Sequence, residues 1–408
     1  MIKKVAKEQL QLGMFIHDLK CGWMDHSFLR NSFMLRKEGD LERILQSGIA
    51  DVLIDTIKGI DVAGPPQPIL EATPALPPRI PTPATATTTH QEELGFAKQI
   101  QHEANKLITD VLHDVRMGKQ IQVERLNPVV GQITDSILRN PGTLVSLCRI
   151  REGDTYTFNH SVSVCALLVS FCRFMEMSPE VIHEAGIGGM LHDIGKMRVP
   201  DHILNKPGKL TDAEFAIMKK HADLGIETLQ QTPGISRTVM QIAGEHHERF
   251  AGNGYPYGLD GPEISLLGRM AAIVDVYDAL TSNRIYHKGR EPAEVLGLLV
   301  LWSDPSKAAL PHLDLELVYH FIKSVGIYPV GSLVRLDSQR LAVVIDQNGH
   351  DQSLYPKVRV IYDIRRERAL TPEDLDLSAP ESAGDSILGG EDPETWKVDP
   401  FSFLTLPL

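Results

Sequence analysis

Apolar positions along this chain change their spacing from region to region, and each regime predicts a different kind of element. Residues 3–10 and 13–19 show the mixed alternation of short strands. Residues 38–48 set Leu41, Ile44 and Leu45 on one helical face and close on Gly48, and ADVLID (50–55) reads as a further strand. Residues 64–89 hold eight prolines and a threonine/alanine run, a composition that packs no core and behaves as an extended tether. Helical spacing returns over 91–117, through Phe96, Ile100, Leu107, Val111 and Val115, and a second helix is predicted over 124–139.

From 141 the helices become more apolar all round. Residues 158–175 read as a buried helix with Cys165 and Cys172 on one face, and 179–197 (PEVIHEAGIGGMLHDIGKM) as the next. Closing helices are expected over 291–325. The period then switches to two over 328–365 around a QNG turn, which predicts a small antiparallel sheet. Between Pro372 and Pro400 lie nine acidic residues and one lysine, so a disordered tail is expected, although the apolar FSFLTLPL end suits docking back on the body.

These regimes divide the chain into a small α/β N-terminal module (1–62), a Pro/Thr-rich linker (63–90), a helical continuation of that module (91–140), a main helical domain (141–326), a small antiparallel β extension (327–370) and an acidic tail (371–408). The fold class is mainly α. Whether helices 91–140 dock on the main domain or form a homodimer is left open by the sequence.

A length of 408 residues suits two or three domains, and 42% hydrophobic content supplies a core. The formal charge of −12 argues against binding nucleic-acid polymers, so an anionic substrate has to be met by a local cationic site. The four cysteines show no CxxC pairing or metal spacing, which fits reduced thiols. MIKKVAKEQLQL is no signal sequence and no stretch approaches a membrane span, so a cytoplasmic protein is expected.

The chemistry gathers around LHDIGK (191–196). His160 lies upstream of His192 and Asp193; His221, the pair His246–His247 and Asp275 lie downstream. Imidazole with carboxylate suits first-row divalent ions such as Fe, Mn or Zn, whereas calcium takes oxygen alone. Five histidines and two aspartates exceed one tetrahedral site but suit two ions sharing a carboxylate, the arrangement that drives in-line displacement at phosphorus.

FNHSVSV (158–164), LHDIGK (191–196), KPGKLTDAEFAIMKKHADLG (206–225), GEHHERFAGNGYPYGLDG (244–261) and GRMAAIVDVYDAL (268–280) together resemble the HD-GYP domain, an HD-superfamily phosphodiesterase of bacterial cyclic di-GMP signalling. The resemblance covers roughly 140–330, and the first 62 residues resemble the module often found ahead of such domains. It implies a metal-dependent hydrolase that opens cyclic di-GMP to linear pGpG, with onward hydrolysis to GMP left open.

By the same resemblance, Asp193 bridges two ions, His192 and Asp275 complete one site, and His221, His246 and His247 complete the other. His160 is a ligand of unassigned ion. A third ion in some members needs a glutamate where this chain has Tyr156, so two ions are expected, iron or manganese, with zinc or nickel as replacements on isolation. Lys196 is expected to hold a scissile phosphate oxygen, and Tyr255 of the Gly254-Tyr255-Pro256 loop to contact substrate, the loop also serving GGDEF-type partners. Arg284 matches a phosphate-binding arginine. The family's lysine three residues later is His287 here, with Lys288 one further on, which weakens the second contact. Arg269, Asp278 and Lys209 read as structural support. Two rival functions stay in view: a cyclic-dinucleotide receptor that barely turns over, and an HD hydrolase of another nucleotide such as cyclic GMP-AMP.

Overall fold

A computed structural model describes residues 2–18, 33–35, 38–46, 51–56, 59–60, 88–149, 156–282, 289–348, 354–382 and 385–404. Two units are distinguished, Met1–Pro81 and Thr82–Leu408. In the first, strands β1 (Ile2–Ala6), β2 (Phe15–Asp18) and β3 (Phe33–Met34), helix α1 (Glu38–Gln46) and strand β4 (Asp51–Asp55) build an antiparallel sheet of order β1-β4-β2-β3. Alternation along β4 turns Val52 and Ile54 inward, where they meet Val5, Ile16 and Ile44 of α1. Most of the Pro/Thr-rich linker lies outside the described residues.

The second unit opens with α2 (His90–Arg116), whose start is a reciprocal cap: Thr89 Oγ1 accepts from the Glu92 amide and Glu92 Oε2 accepts from the Thr89 amide, at 3.3 and 2.8 Å. Then follow α3 (Leu126–Arg139), α4 (Pro141–Arg149), α5 (Tyr156–Phe174), α6 (Pro179–Leu191), α7 (Asp201–Leu204), α8 (Asp212–Lys219), α9 (His221–Gln230), α10 (Arg237–Glu245), α11 (Leu266–Thr281), α12 (Pro292–Ser303) and α13 (Leu315–Val325). Helices α5 and α6 form the centre, covered by α3, α10 and α11. Cys165 and Cys172 are fully buried on α5, and burial pushes their thiols well up. Helices α2 and α3 pack on α4 and α5, so by packing residues 91–140 belong with the main helical body. The Arg139 fork closes on both Glu93 oxygens at 2.7 Å, tying the end of α3 to the start of α2.

His90, which its helical position suggests is solvated, is instead buried at the head of α2, with Nδ1 2.9 Å from Thr143 Oγ1. Burial, helped by the charges of Arg359 and Lys98, lowers its pKa from 6.5 to about 4. Between those values the unfolded chain takes up a proton that the folded chain refuses, so stability falls as pH drops through this window. Metal-free protein is expected to lose up to about 3 kcal/mol from this residue between pH 7 and 4. Urea midpoints of wild type and His90→Gln at pH 7 and 5 measure it; equal pH slopes refute the account.

Strands β5 (Leu333–Leu336), β6 (Arg340–Asp346), β7 (Lys357–Asp363), β8 (Arg368–Asp376) and β9 (Ile387–Gly390) form an antiparallel sheet of order β8-β7-β6-β5-β9, followed by α14 (Pro393–Trp396) and α15 (Pro400–Leu404). The expectation of a disordered tail over 371–408 is therefore corrected. Within it, β8 runs to Asp376, β9 pairs with β5, and Leu404 is buried against Leu333, Leu341 and Ile361. The reason is that its carboxylates meet arginines of the sheet: Asp374 takes Arg359 at 2.6 Å, Asp385 takes Arg340 at 2.9 Å and Glu391 takes Arg335 at 2.7 Å. Composition counts these charges without their partners. Among the described residues no helix is long and apolar enough to cross a membrane.

Candidate metal centre

The residues gathered around LHDIGK stand mostly where helices begin or end. Helix α6 stops at Leu191; His192 caps it, and Asp193, at φ −98° and ψ 11°, has already left it for a 3-10 turn over Ile194–Arg198. Gly195 allows that exit, because a Cβ there would overlap the backbone of His221 and Gly225 at the start of α9. His221 opens α9, His246 caps α10 with His247 next, His160 lies in the first half of α5 and Asp275 lies within α11.

Helix ends leave carbonyls without amide partners, and three of the histidines use them. His192 Nδ1 donates to Gly189 O at 2.8 Å, His221 Nδ1 to Met218 O at 2.8 Å and His246 Nδ1 to Ala243 O at 2.9 Å. Each bond places the ring proton on Nδ1 and turns the Nε2 lone pair to the centre. His160 Nδ1 instead bonds Asp278 Oδ2 at 2.7 Å, and Ser163 Oγ donates to the other oxygen of that carboxylate.

The potential ligand atoms fall into two sets, each within 4.8 Å: Asp193, His221, His246 and His247 in one, His160, His192 and Asp275 in the other. Asp193 links them. Its Oδ1 lies 3.4 and 3.8 Å from Nε2 of His221 and His246, and its Oδ2 lies 3.2 and 3.5 Å from Nε2 of His192 and His160. His160, unassigned between ions by resemblance, sits with His192 and Asp275. Lys196 Nζ closes on Asp193 Oδ2 at 2.5 Å.

Burial disfavours ionising Asp193 and Asp275. Even so, the charge of Lys196 beside Asp193, and the His160 hydrogen bond to Asp275, hold both carboxyls well below their usual range. Burial lowers His221 to about 4 and also lowers His246 and His247, so these rings are neutral electron-pair donors at pH 7. Burial also opposes a proton on His160, but Asp275 and Asp278 outweigh it and raise the ring to about 9. A divalent cation competes with that proton for the same lone pair.

The donor set fits such ions. Among the described residues, Asp193 Oδ1, His221 Nε2 and His246 Nε2 are buried polar atoms with no hydrogen-bond partner, gathered in one set within 4.8 Å. The Nε2 atoms of His160 and His192 face each other at 3.2 Å. Buried imidazoles and carboxylates left this way cost free energy unless a cation satisfies them.

Comparison with known proteins agrees with this chemistry. The HD domain family matches residues 149–305, and a domain of unknown function (DUF3391) matches residues 2–126. Over 398 residues the chain is 40% identical to the cyclic di-GMP phosphodiesterase PA4108 of Pseudomonas aeruginosa, a match covering 97% of this chain and 94% of that one. The chain belongs to the HD-GYP family of metal-dependent HD-domain phosphodiesterases. A cyclic di-GMP phosphodiesterase of Vibrio cholerae is 47% identical over 156 residues, 35% of this chain and 32% of that protein. The 3'3'-cGAMP-specific phosphodiesterase 1 of the same organism is 39% identical over 144 residues, 35% of this chain and 33% of that protein. The N-terminal match runs past the Pro-rich stretch into α2, so residues 91–126 belong to that module by sequence and to the helical body by packing.

The loop that names the HD-GYP family is anchored by Glu248, a residue that no sequence motif singles out. Its carboxylate is buried and accepts from the amides of Tyr257, Gly258 and Leu259 at 2.7, 3.1 and 3.1 Å. Burial raises its pKa against the lowering by those three amides. A Cβ on Gly254 would overlap the backbone of Glu248 and Arg249, so only glycine lets the loop turn here. The Tyr255–Pro256 peptide is cis, and the Tyr255 ring lies against His247, centroids 4.7 Å apart at 33°. Glu248→Ala strips a charged acceptor from three amides. It is expected to cost about 2–4 kcal/mol in urea unfolding and to lower kcat/KM with it; an unchanged midpoint refutes the anchoring role.

Asp278 takes up the supporting place expected of it, and Arg269 pairs with Asp314 at 2.7 Å between α11 and α13. Arg284 and Lys288 lie outside the described residues.

Proposed function

We propose that this chain hydrolyses cyclic di-GMP at a phosphodiester P–O bond, giving linear pGpG with a 5′-phosphate and a free 3′-hydroxyl. The observation that carries the reading is the carboxylate of Asp193, whose two oxygens face two separate ligand sets. His160, His192 and Asp275 would hold one divalent ion, His221, His246 and His247 the other, with Asp193 shared. Such a pair supplies activated water and charge neutralisation to in-line displacement at phosphorus.

The chain's own residues do the rest. The Nδ1 hydrogen bonds keep His192, His221 and His246 oriented, and burial keeps His221, His246 and His247 neutral. Lys196, paired with Asp193, would take a non-bridging oxygen as negative charge develops there. Tyr255, stacked on His247, walls the site beside a guanine or phosphate.

Relatives named for 3'3'-cGAMP match the same region, which makes that dinucleotide the second substrate to try. Protein loaded with Mn(II), or with Fe(II) without oxygen, is expected to convert cyclic di-GMP to pGpG on chromatography faster than it cleaves 3'3'-cGAMP or a mononucleotide. Tight binding without product supports a receptor, and faster cleavage of 3'3'-cGAMP reassigns the substrate.

A further inference from the structure

Helix α8 stands at the edge of the centre and buries none of its residues. It is nonetheless firmly set: Thr211 and Glu214 form a reciprocal cap, and Glu214 takes Lys206 at 2.5 Å. Its Phe215 is 48% exposed. Lys219, four residues on and therefore on the same face, carries its ammonium 5.3 Å from the Phe215 ring and 5.7 Å from the Tyr255 ring. Among the described residues no carboxylate pairs with Lys219. An unpaired cation thus lies over both an exposed aromatic ring and the very tyrosine that leans on His247.

A cyclic dinucleotide carries two phosphodiesters and two bases, and only one phosphodiester occupies the metal centre in a turnover. The other half brings a negative charge and a purine to a protein whose net charge is −12. Lys196 is already engaged by Asp193 and offers that half little. We propose that Lys219 and Phe215 form the subsite for the non-scissile half: the ammonium neutralises the second phosphate and the Phe215 face receives the base. The subsite rests on the dinucleotide reading above and adds to it the residues that distinguish a two-phosphate ring from a simple diester. Ammonium–phosphate attraction at a partly exposed position is screened by salt, and base–aromatic stacking tolerates either purine.

The experiment compares kcat/KM for cyclic di-GMP and for bis(p-nitrophenyl) phosphate, which has a single phosphodiester, on metal-loaded full-length protein. Lys219→Gln is expected to lower the ratio of the two about tenfold, through KM for the dinucleotide, and Lys219→Arg to restore most of it. Phe215→Ala is expected to raise the same KM about fivefold. Wild-type KM should also climb more steeply with ionic strength than that of Lys219→Gln. Because α8 buries nothing, these variants leave the core intact, as thermal unfolding checks. An unchanged ratio in Lys219→Gln, or a parallel fall on both substrates, overturns the subsite. Wild type that cleaves the chromogenic diester but leaves cyclic di-GMP intact overturns the substrate reading, and the subsite with it.

Discussion

Asp193→Ala is expected to lower kcat on cyclic di-GMP by about a thousandfold, on the order of 4 kcal/mol in the barrier, and saturating metal is not expected to restore it. Asp193 belongs to one ligand set and reaches into the other, with Oδ1 toward His221 and His246 and Oδ2 toward His192 and His160. In the proposed two-ion site, removing it would take a ligand from each ion and the negative charge that would let two cations sit close together. It also releases Lys196 from its partner at 2.5 Å, so the ammonium loses its fixed place. Metal content by elemental analysis should fall alongside turnover, with circular dichroism confirming that the helices persist. A variant that keeps wild-type kcat would remove the basis for the whole assignment.

Asp278→Asn should behave differently, weakening metal affinity by about 10–100-fold while excess metal recovers most of the activity. Asp278 touches no expected ion. It holds His160 through Nδ1 at 2.7 Å and is itself held by Ser163. The amide keeps the shape but loses the charge that orients the ring and strengthens Nε2 as a donor. Activity titrated against Mn(II) separates the two variants: a shifted midpoint with an unchanged plateau is the Asp278 result, a collapsed plateau the Asp193 result. Identical titrations for Asp278→Asn and wild type would show that the carboxylate is mere packing.

The candidate ligands could be nominated from the sequence because metal chemistry restricts residue type severely. Few side chains besides histidine and aspartate serve, so five histidines and two aspartates stand out even when spread over α5 to α11. Glu248 offers no such signal. Its partners are backbone amides nine to eleven residues ahead, and any glutamate after a histidine pair looks the same on paper. His90 misled for a related reason, since a polar residue at a helix start reads as solvated until Thr143 is seen against it. The tail misled through composition: nine acidic residues suggest repulsion, but Arg335, Arg340 and Arg359 are delivered to them by strand pairing.

Local periodicity was enough to establish a mainly helical chain with a small sheet at either end, and residue chemistry enough to nominate a two-ion centre. Both depend on patterns contained within short stretches or on the rarity of particular side chains. The grouping of His160 with His192 and Asp275, the direction of three imidazole lone pairs, the ordering of the acidic tail and the placing of Lys219 beside Tyr255 came only with the packed structure. Each of these depends on groups far apart along the chain meeting at distances of a few ångströms, and the strength of hydrogen bonds and charges falls away within that range.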